Sequence, residues 1–313
     1  MADLCTVCGG KTTVLKTISG DFLKRSLAAY FGTPMPEGLE IRDYDLVECL
    51  TCSIVSAAPM IPGDDEFYSW ITRQQGYYPT SRWEWGVVLE RVRNAASTRP
   101  VSILDVGCGS GDFLVRAREV AGVEAFGLDM TEASVQAAQK KGLNVVCADL
   151  AQYGAQNPGA SFDFVTSFHC VEHVKDPKQF LSEIKPLLKV GAGVALISAP
   201  LSPMSFEREW FDPLNYPPHH MTRWSIQAVE ALGKAVGLRS DVRISPAGSS
   251  VSRALRALEL SKAGALGAGK RSRQVGVALR HFPGFLREYS HQRRRAKWQG
   301  DFIGDIFLAE YAT

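Results

Sequence analysis

The sequence predicts an α/β protein in which a doubly wound, mostly parallel seven-stranded sheet follows a small cysteine-bracketed N-terminal module. Three observations lead there. From Val101 onward, short β-branched runs alternate with helical periods. Two Cys-x-x-Cys pairs stand within the first 52 residues. The 313-residue chain is 45% hydrophobic and carries 35 basic against 33 acidic side chains. A chain this apolar and balanced folds, and its length suffices for one α/β domain plus an extra module. No apolar run reaches the ~18 residues of a spanning helix. The opening Met1–Lys11 has no basic stretch leading into an apolar one, so a cytoplasmic protein without secretory signal is expected.

Residues 1–62 form the first module, ending in the turn-rich stretch around Ala58-Pro-Met-Ile-Pro-Gly63. Cys5, Cys8, Cys49 and Cys52 are four thiolates in two pairs, the set that closes a tetrahedral zinc site. Four protein ligands leave no open position, so the expected metal is structural; a redox dithiol is the alternative. The pairs stand farther apart than in common zinc ribbons, and the segment Asp21–Gly38 with its apolar run Phe22–Phe31 reads as the insertion responsible. The remaining thiols, Cys108, Cys147 and Cys170, are read as core or loop residues of the main domain.

Residues 63–98 are an aromatic connector that includes Tyr68, Tyr77, Tyr78 and Trp85, either gluing two modules together or covering a ligand. The main domain spans 99–313. Its strands are expected at Val101–Gly107, Ala125–Asp129, Asn144–Asp149, Phe162–Phe168, Gly193–Ala199, Asp241–Ile244 and Phe302–Tyr311. Helices fill the gaps: one through Val120, the alanine-rich Thr131–Lys141, one begun by Asp176-Pro177-Lys178-Gln179, and the amphipathic Ser225–Val236. In such sheets ligands bind beyond the carboxyl ends of the strands, where the strand order reverses.

The first of these strands runs into Asp105-Val-Gly107-Cys-Gly109-Ser-Gly111-Asp112. Glycines at alternate positions let the backbone turn tightly and approach a ligand. A nicotinamide-dinucleotide loop would need Gly or Ala where Asp112 stands, and the Gly-Lys-Ser/Thr of a phosphate-binding P-loop is missing.

This stretch resembles motif I of the class I S-adenosylmethionine-dependent methyltransferases, and the resemblance continues in register for about 140 residues. It implies a Rossmann-like fold. Asp105 and the glycine loop would hold the methionine part of the cofactor. Asp129, in Gly127-Leu-Asp-Met130, would clamp the ribose hydroxyls, and Asp149, in Cys147-Ala-Asp-Leu150, would accept from the adenine amino group. The Ser161–Val174 segment resembles the strand-four motif, and Leu187–Val194 the turn into strand five. The cofactor set implied is Asp105, Gly107, Gly109, Gly111, Asp129, Met130, Asp149, Leu150 and Phe168. A cysteine module fused to such a domain is similar to bacterial enzymes that methylate sugars and related small molecules.

Within the strand-four segment, His169-Cys-Val-Glu172-His173 also fits the inverted zinc-protease spacing. That chemistry requires a helix; directly after a strand it is set aside. Methyl transfer needs a positioned acceptor and a group to take its proton. The longest loop beyond a strand end, Leu201–Trp224, holds Glu207, Arg208, Glu209, Tyr216 and Pro217-Pro-His219-His220. His219 or His220 is the expected base, with His169 and His173 next, because imidazole titrates near neutral pH.

The expected activity is O-methylation of a small or carbohydrate-type acceptor, nucleotide-linked sugars included. Between Arg253 and Lys297 stand twelve basic and two acidic residues, which leaves a charge of −8 for the rest of the chain. This basic helical insertion, at about 250–300, reads as a solvated face or the rim of a homo-oligomer. Two alternatives stay open: an RNA methyltransferase gripping nucleic acid with the insertion and zinc module, and a non-catalytic zinc-ribbon adaptor.

Overall fold

The computed structural model describes residues 4–74, 77–79, 81–202, 204, 211–261, 281–298 and 304–313. In the N-terminal module, β1 (Thr12–Ile18), β2 (Tyr44–Cys49) and β3 (Val55–Ala58) form an antiparallel meander. The expected insertion is helix α1 (Gly20–Phe31), ended by Gly32 in the left-handed conformation. Helix α2 (Asp65–Thr72), capped by Asp64, packs Phe67, Trp70 and Ile71 against Leu27, Tyr30 and Phe31 of α1.

Helix α3 (Trp83–Ala96) belongs to the other body. Its Trp85, Val88, Leu89 and Val92 enter one core with Ile103, Phe113 and Phe168. The aromatic connector is thus divided: its first half builds the module and its second half covers the main sheet.

That sheet contains β4 (Val101–Val106), β5 (Val123–Asp129), β6 (Asn144–Cys147), β7 (Phe164–Phe168), β8 (Val194–Pro200), β10 (Arg239–Ile244) and β11 (Ile306–Ala312). Their order is β10-β11-β8-β7-β4-β5-β6, with β4 to β8 parallel and β11 antiparallel to both its neighbours. The seven-stranded, mostly parallel sheet is as expected. The order reverses between β4 and β7, which opens a crevice at their carboxyl ends.

Helices α4 (Asp112–Arg118), α5 (Glu132–Lys140), α6 (Leu150–Gln156), α7 (Pro177–Ile184) and α8 (Ile226–Val236) cover the faces. Their starts obey local chemistry. Asp176 accepts from Gln179 N–H with proline at the first position of α7, and Ser225 Oγ accepts from Ala228 N–H at α8.

The two bodies are joined through a shared core and a shared sheet. Cys5, Val7, Cys49, Cys52 and Ile54 pack in the same cluster as Leu104, Ile197, Trp224 and Ala228. A short strand of the main domain, β9 (Thr222–Arg223), pairs antiparallel with β3. Of the basic insertion, α9 (Ser250–Ser261) and α10 (Phe282–Trp298) are described; residues 262–280 lie outside the described residues. Arg253 does not contribute to a solvated face: it is buried and its Nε donates to Gln292 Oε1 at 3.2 Å. No helix among the described residues is long and apolar enough to cross a membrane.

Candidate functional site

At the end of β4 the chain turns through Gly107, Gly109 and Gly111 with φ of 72°, 55° and 77°. These values lie in the left-handed region that side chains disfavour. A Cβ at Gly107 would run into Cys170 Sγ, whereas at Gly109 it would meet nothing closer than Tyr78 Cε1 at 4.0 Å. The loop is therefore packed from below and open above Gly109, a bare backbone surface on which a ligand can lie. Asp129, ending β5, braces that loop: its carboxylate accepts from Gly109 N–H at 2.8 Å and Thr131 N–H at 2.9 Å. Each oxygen keeps further acceptor capacity, so two vicinal hydroxyls fit it as donors.

The other residues expected around the cofactor fall into two groups. Met130 stands on the rim, 76% exposed. Asp149 caps α6, one oxygen accepting from Gln152 N–H at 2.7 Å. Asp105 is 2% exposed, and burial pushes its carboxyl up to about 7 despite the Thr166 hydroxyl donating to it at 2.7 Å. Leu150 and Phe168 are core residues, Phe168 with its ring centroid 4.7 Å from that of Phe113.

Beyond the carboxyl end of β7, two segments are stitched together. Glu172 carbonyl, in the turn after β7, accepts from Met221 and Thr222 N–H at 2.7 and 3.2 Å. This brings His173 against His219 and His220, with ring centroids 4.5–4.8 Å apart. His219 Nδ1 donates to Leu214 carbonyl at 2.7 Å, so its Nε2 is the acceptor and takes the Tyr77 hydroxyl at 2.9 Å. Burial, reinforced by His173, holds His219 well below the usual imidazole range; burial and His219 do the same for His220. Both rings are thus held in the neutral form, which leaves a lone pair on one ring nitrogen of each. Tyr77 adjoins Tyr78, the residue nearest the open face of Gly109, which links the imidazoles to the glycine loop.

His169 behaves differently. It follows β7 with φ 56° and lies between two buried carboxylates: Glu84 Oε1 at 3.0 Å from Nε2, and Glu172 Oε1 at 3.3 Å from Nδ1. Burial opposes its charge, but the two carboxylates outweigh that and raise its pKa. Both ring nitrogens are engaged, so His169 is a charged brace rather than a free base. Glu207, Arg208 and Glu209 lie outside the described residues.

Sequence reasoning missed Glu84. It shares the buried i, i+4, i+8 stripe of α3 with Val88 and Val92. A carboxylate on an apolar stripe is a signal for a buried partner, but nothing local says which one.

In the N-terminal module Cys5 Sγ lies 3.7 Å from Cys52 Sγ, and Cys8 Sγ lies 3.5 Å from Cys49 Sγ. Tetrahedral Zn–S bonds of about 2.3 Å put sulfurs about 3.7 Å apart, so the four thiols fit that ion. Val7 N–H points at Cys5 Sγ at 3.4 Å and Thr51 N–H at Cys49 Sγ at 3.4 Å, contacts that favour thiolates.

A family model described as a methyltransferase domain matches residues 84–241, just over half the chain. The chain is 32% identical over 112 residues to a ubiquinone biosynthesis O-methyltransferase of Chromobacterium violaceum, a match covering 34% of this chain and 47% of that one. It is 29% identical over 106 residues to an ajmaline N-methyltransferase of Rauvolfia serpentina, covering 32% and 36%. The chain spans about half the length, or less, of these relatives. A solved SAM-dependent methyltransferase of Archaeoglobus fulgidus superposes with a TM-score of 0.48 at 19% identity, covering 73% of this chain and 94% of that one. The family model begins at Glu84 and ends inside β10, so it takes in the glycine loop, Asp129, Asp149 and the three clustered histidines: the chain belongs to the methyltransferase-domain family.

Proposed function

We propose that this methyltransferase transfers a methyl group to a hydroxyl oxygen of a small acceptor, of carbohydrate type and including nucleotide-linked sugars. The observation that carries the reading is the Tyr77–His219 pair: a buried neutral imidazole with its lone pair turned to a phenol beside the glycine loop. S-adenosylmethionine, when bound, supplies a methyl group already activated on a sulfonium. Asp129, Asp149 and the Gly107–Gly111 loop hold it; the His219 side accepts the proton that the acceptor hydroxyl releases, directly or through Tyr77. Glu84, His169 and Glu172 form a charged buried triad that fixes the β7–α7 turn and with it the imidazoles. The 32% identity to a named O-methyltransferase supports oxygen as the methylated atom. Cys5, Cys8, Cys49 and Cys52 are proposed to hold structural zinc, away from this chemistry.

The test is adenosylhomocysteine release with a panel of nucleotide sugars, free sugars and catechols, with the methylated product identified by mass spectrometry. His219→Ala is expected to lower kcat by ~10²–10⁴-fold on the accepted compound while S-adenosylmethionine affinity stays within a few-fold. Unchanged kcat in that variant, or turnover only with structured RNA, overturns the reading.

A further inference from the structure

The cluster of His173, His219 and His220 has a second chemistry. Each ring offers one nitrogen, and these nitrogens lie within 4.8 Å of one another. The rings are also wired alike. His173 Nδ1 donates to His219 carbonyl at 2.6 Å, His219 Nδ1 to Leu214 carbonyl at 2.7 Å, and His220 Nδ1 to Asn215 Oδ1 at 2.9 Å. A carbonyl oxygen on Nδ1 fixes the proton there and leaves the lone pair on Nε2, the arrangement that surrounds metal-bound imidazoles.

An independent observation points to a cation. Glu172 is 1% exposed; its Oε1 is engaged by the charged His169, and its Oε2 has no hydrogen-bond partner among the described residues. Its Oε1 lies 3.9 Å from His220 Nε2 and 3.3 Å from His169 Nδ1. A buried carboxylate with one oxygen left unpartnered, next to three imidazoles, supplies negative charge where a cation would sit.

We propose that His173, His219 and His220 form a divalent transition-metal site, zinc or cobalt by ligand chemistry, with Glu172 as adjacent counter-charge. Imidazole suits such ions, and three protein ligands leave a fourth position for water or an oxygen ligand. Zn–N bonds of about 2.0–2.1 Å require nitrogens roughly 3.3 Å apart, a spacing within reach of rings whose nitrogens already lie within 4.8 Å of one another. On His219 the ion competes with the Tyr77 hydroxyl for one nitrogen. The set differs from the cysteine cluster in every ligand; an ion on His219 Nε2 takes the lone pair assigned above to the acceptor's proton, so the metal-bound and proton-accepting states of that ring exclude each other. The spacing His-x-x-Glu-His, set aside as a protease pattern, contributes its last two residues, held in a turn instead of a helix.

Cobalt titration of the full chain separates the two sites. Thiolate-bound cobalt shows an intense sulfur-to-metal charge-transfer band; nitrogen- and oxygen-bound cobalt shows only weak d–d bands. The wild type is expected to take up about one cobalt per chain with d–d bands alone, in addition to metal on the cysteines, at micromolar concentration or below. His173→Gln and His220→Gln should each weaken that uptake at least tenfold, while adenosylhomocysteine binding, read by calorimetry, reports an intact fold. Tyr77→Phe should leave it unchanged or tighter. Absence of the charge-transfer-free signal up to millimolar cobalt in the wild type and Tyr77→Phe overturns the proposal, as does unaltered uptake in both folded histidine variants. The titration needs no acceptor, so its failure is distinct from a wrong acceptor class.

Discussion

Asp129 has two tasks at once, and they set the scale of its loss. Its carboxylate braces the glycine loop through Gly109 N–H and caps the next turn through Thr131 N–H. The ribose clamp proposed for it uses the same two oxygens. Charged hydrogen bonds are worth about 1.5–3 kcal/mol each, so Asp129→Ala should weaken S-adenosylmethionine binding at least tenfold in calorimetry. Asp129→Asn keeps one acceptor oxygen and should fall between. Unchanged affinity in a folded alanine variant would move the cofactor elsewhere. The carboxylate at 129 was legible because it ends a strand a fixed distance after a glycine loop. The charged state of His169 was not, because its partner Glu84 lies 85 residues away and reaches it only through the packing of α3.

At the scale of elements, the strands and helix starts were legible because their signals are local. Asp176-Pro177 begins α7 and Ser225 begins α8 as read, and the β-branched runs became strands. What sequence could not give was strand order: β11, last in the chain, lies between β8 and β10, a placement made by pairing across more than a hundred residues. Elements are also tied at the end of the sheet away from the crevice. Asp163, just before β7, is met by Arg99 at 2.6 Å, Lys189 at 2.7 Å and Ser102 N–H at 2.8 Å, binding the start of β4 to the turn before β8. Burial alone would raise its pKa; Lys189, the Ser102 N–H and Arg99 outweigh burial and hold it at about 2. Its folded value lies below the unfolded ~3.9, so its stabilisation is fully present above about pH 4 and is lost as pH falls through about 2. Asp163→Asn should flatten the acid limb of a denaturation series over that window. Removing the buried carboxylate should lower stability at pH 7 by roughly 3 kcal/mol, near the low end for buried pairs because both cations are partly exposed. An acid limb identical to wild type would show that the cluster adds nothing.

For the whole molecule, the sequence reads as two modules and a connector, but the core does not respect those borders. Cysteine-module residues share a hydrophobic cluster with the main sheet, Gln227 Nε2 donates to Thr51 carbonyl at 2.8 Å, and β9 extends the module's own sheet. The same loop that supplies β9 carries His219 and His220 three and two residues before it, so the module buttresses the site from behind. Burial of this kind makes neighbouring bodies unfold together, and a structural metal adds its binding free energy to the folded state only. In a His173→Gln, His220→Gln background, about one zinc per chain should remain, held by the four cysteines. Cys8→Ser with Cys49→Ser should remove it and lower the Tm of the entire chain in one transition seen alike by tryptophan fluorescence and far-ultraviolet circular dichroism. A free-standing ribbon would instead melt separately and leave the main transition and S-adenosylmethionine affinity where they were. Two resolved transitions would therefore dissolve the shared core, and retained zinc would dissolve the cysteine site. A single lowered transition with weakened turnover on the accepted compound would show that the module acts as the rear wall of the catalytic loop.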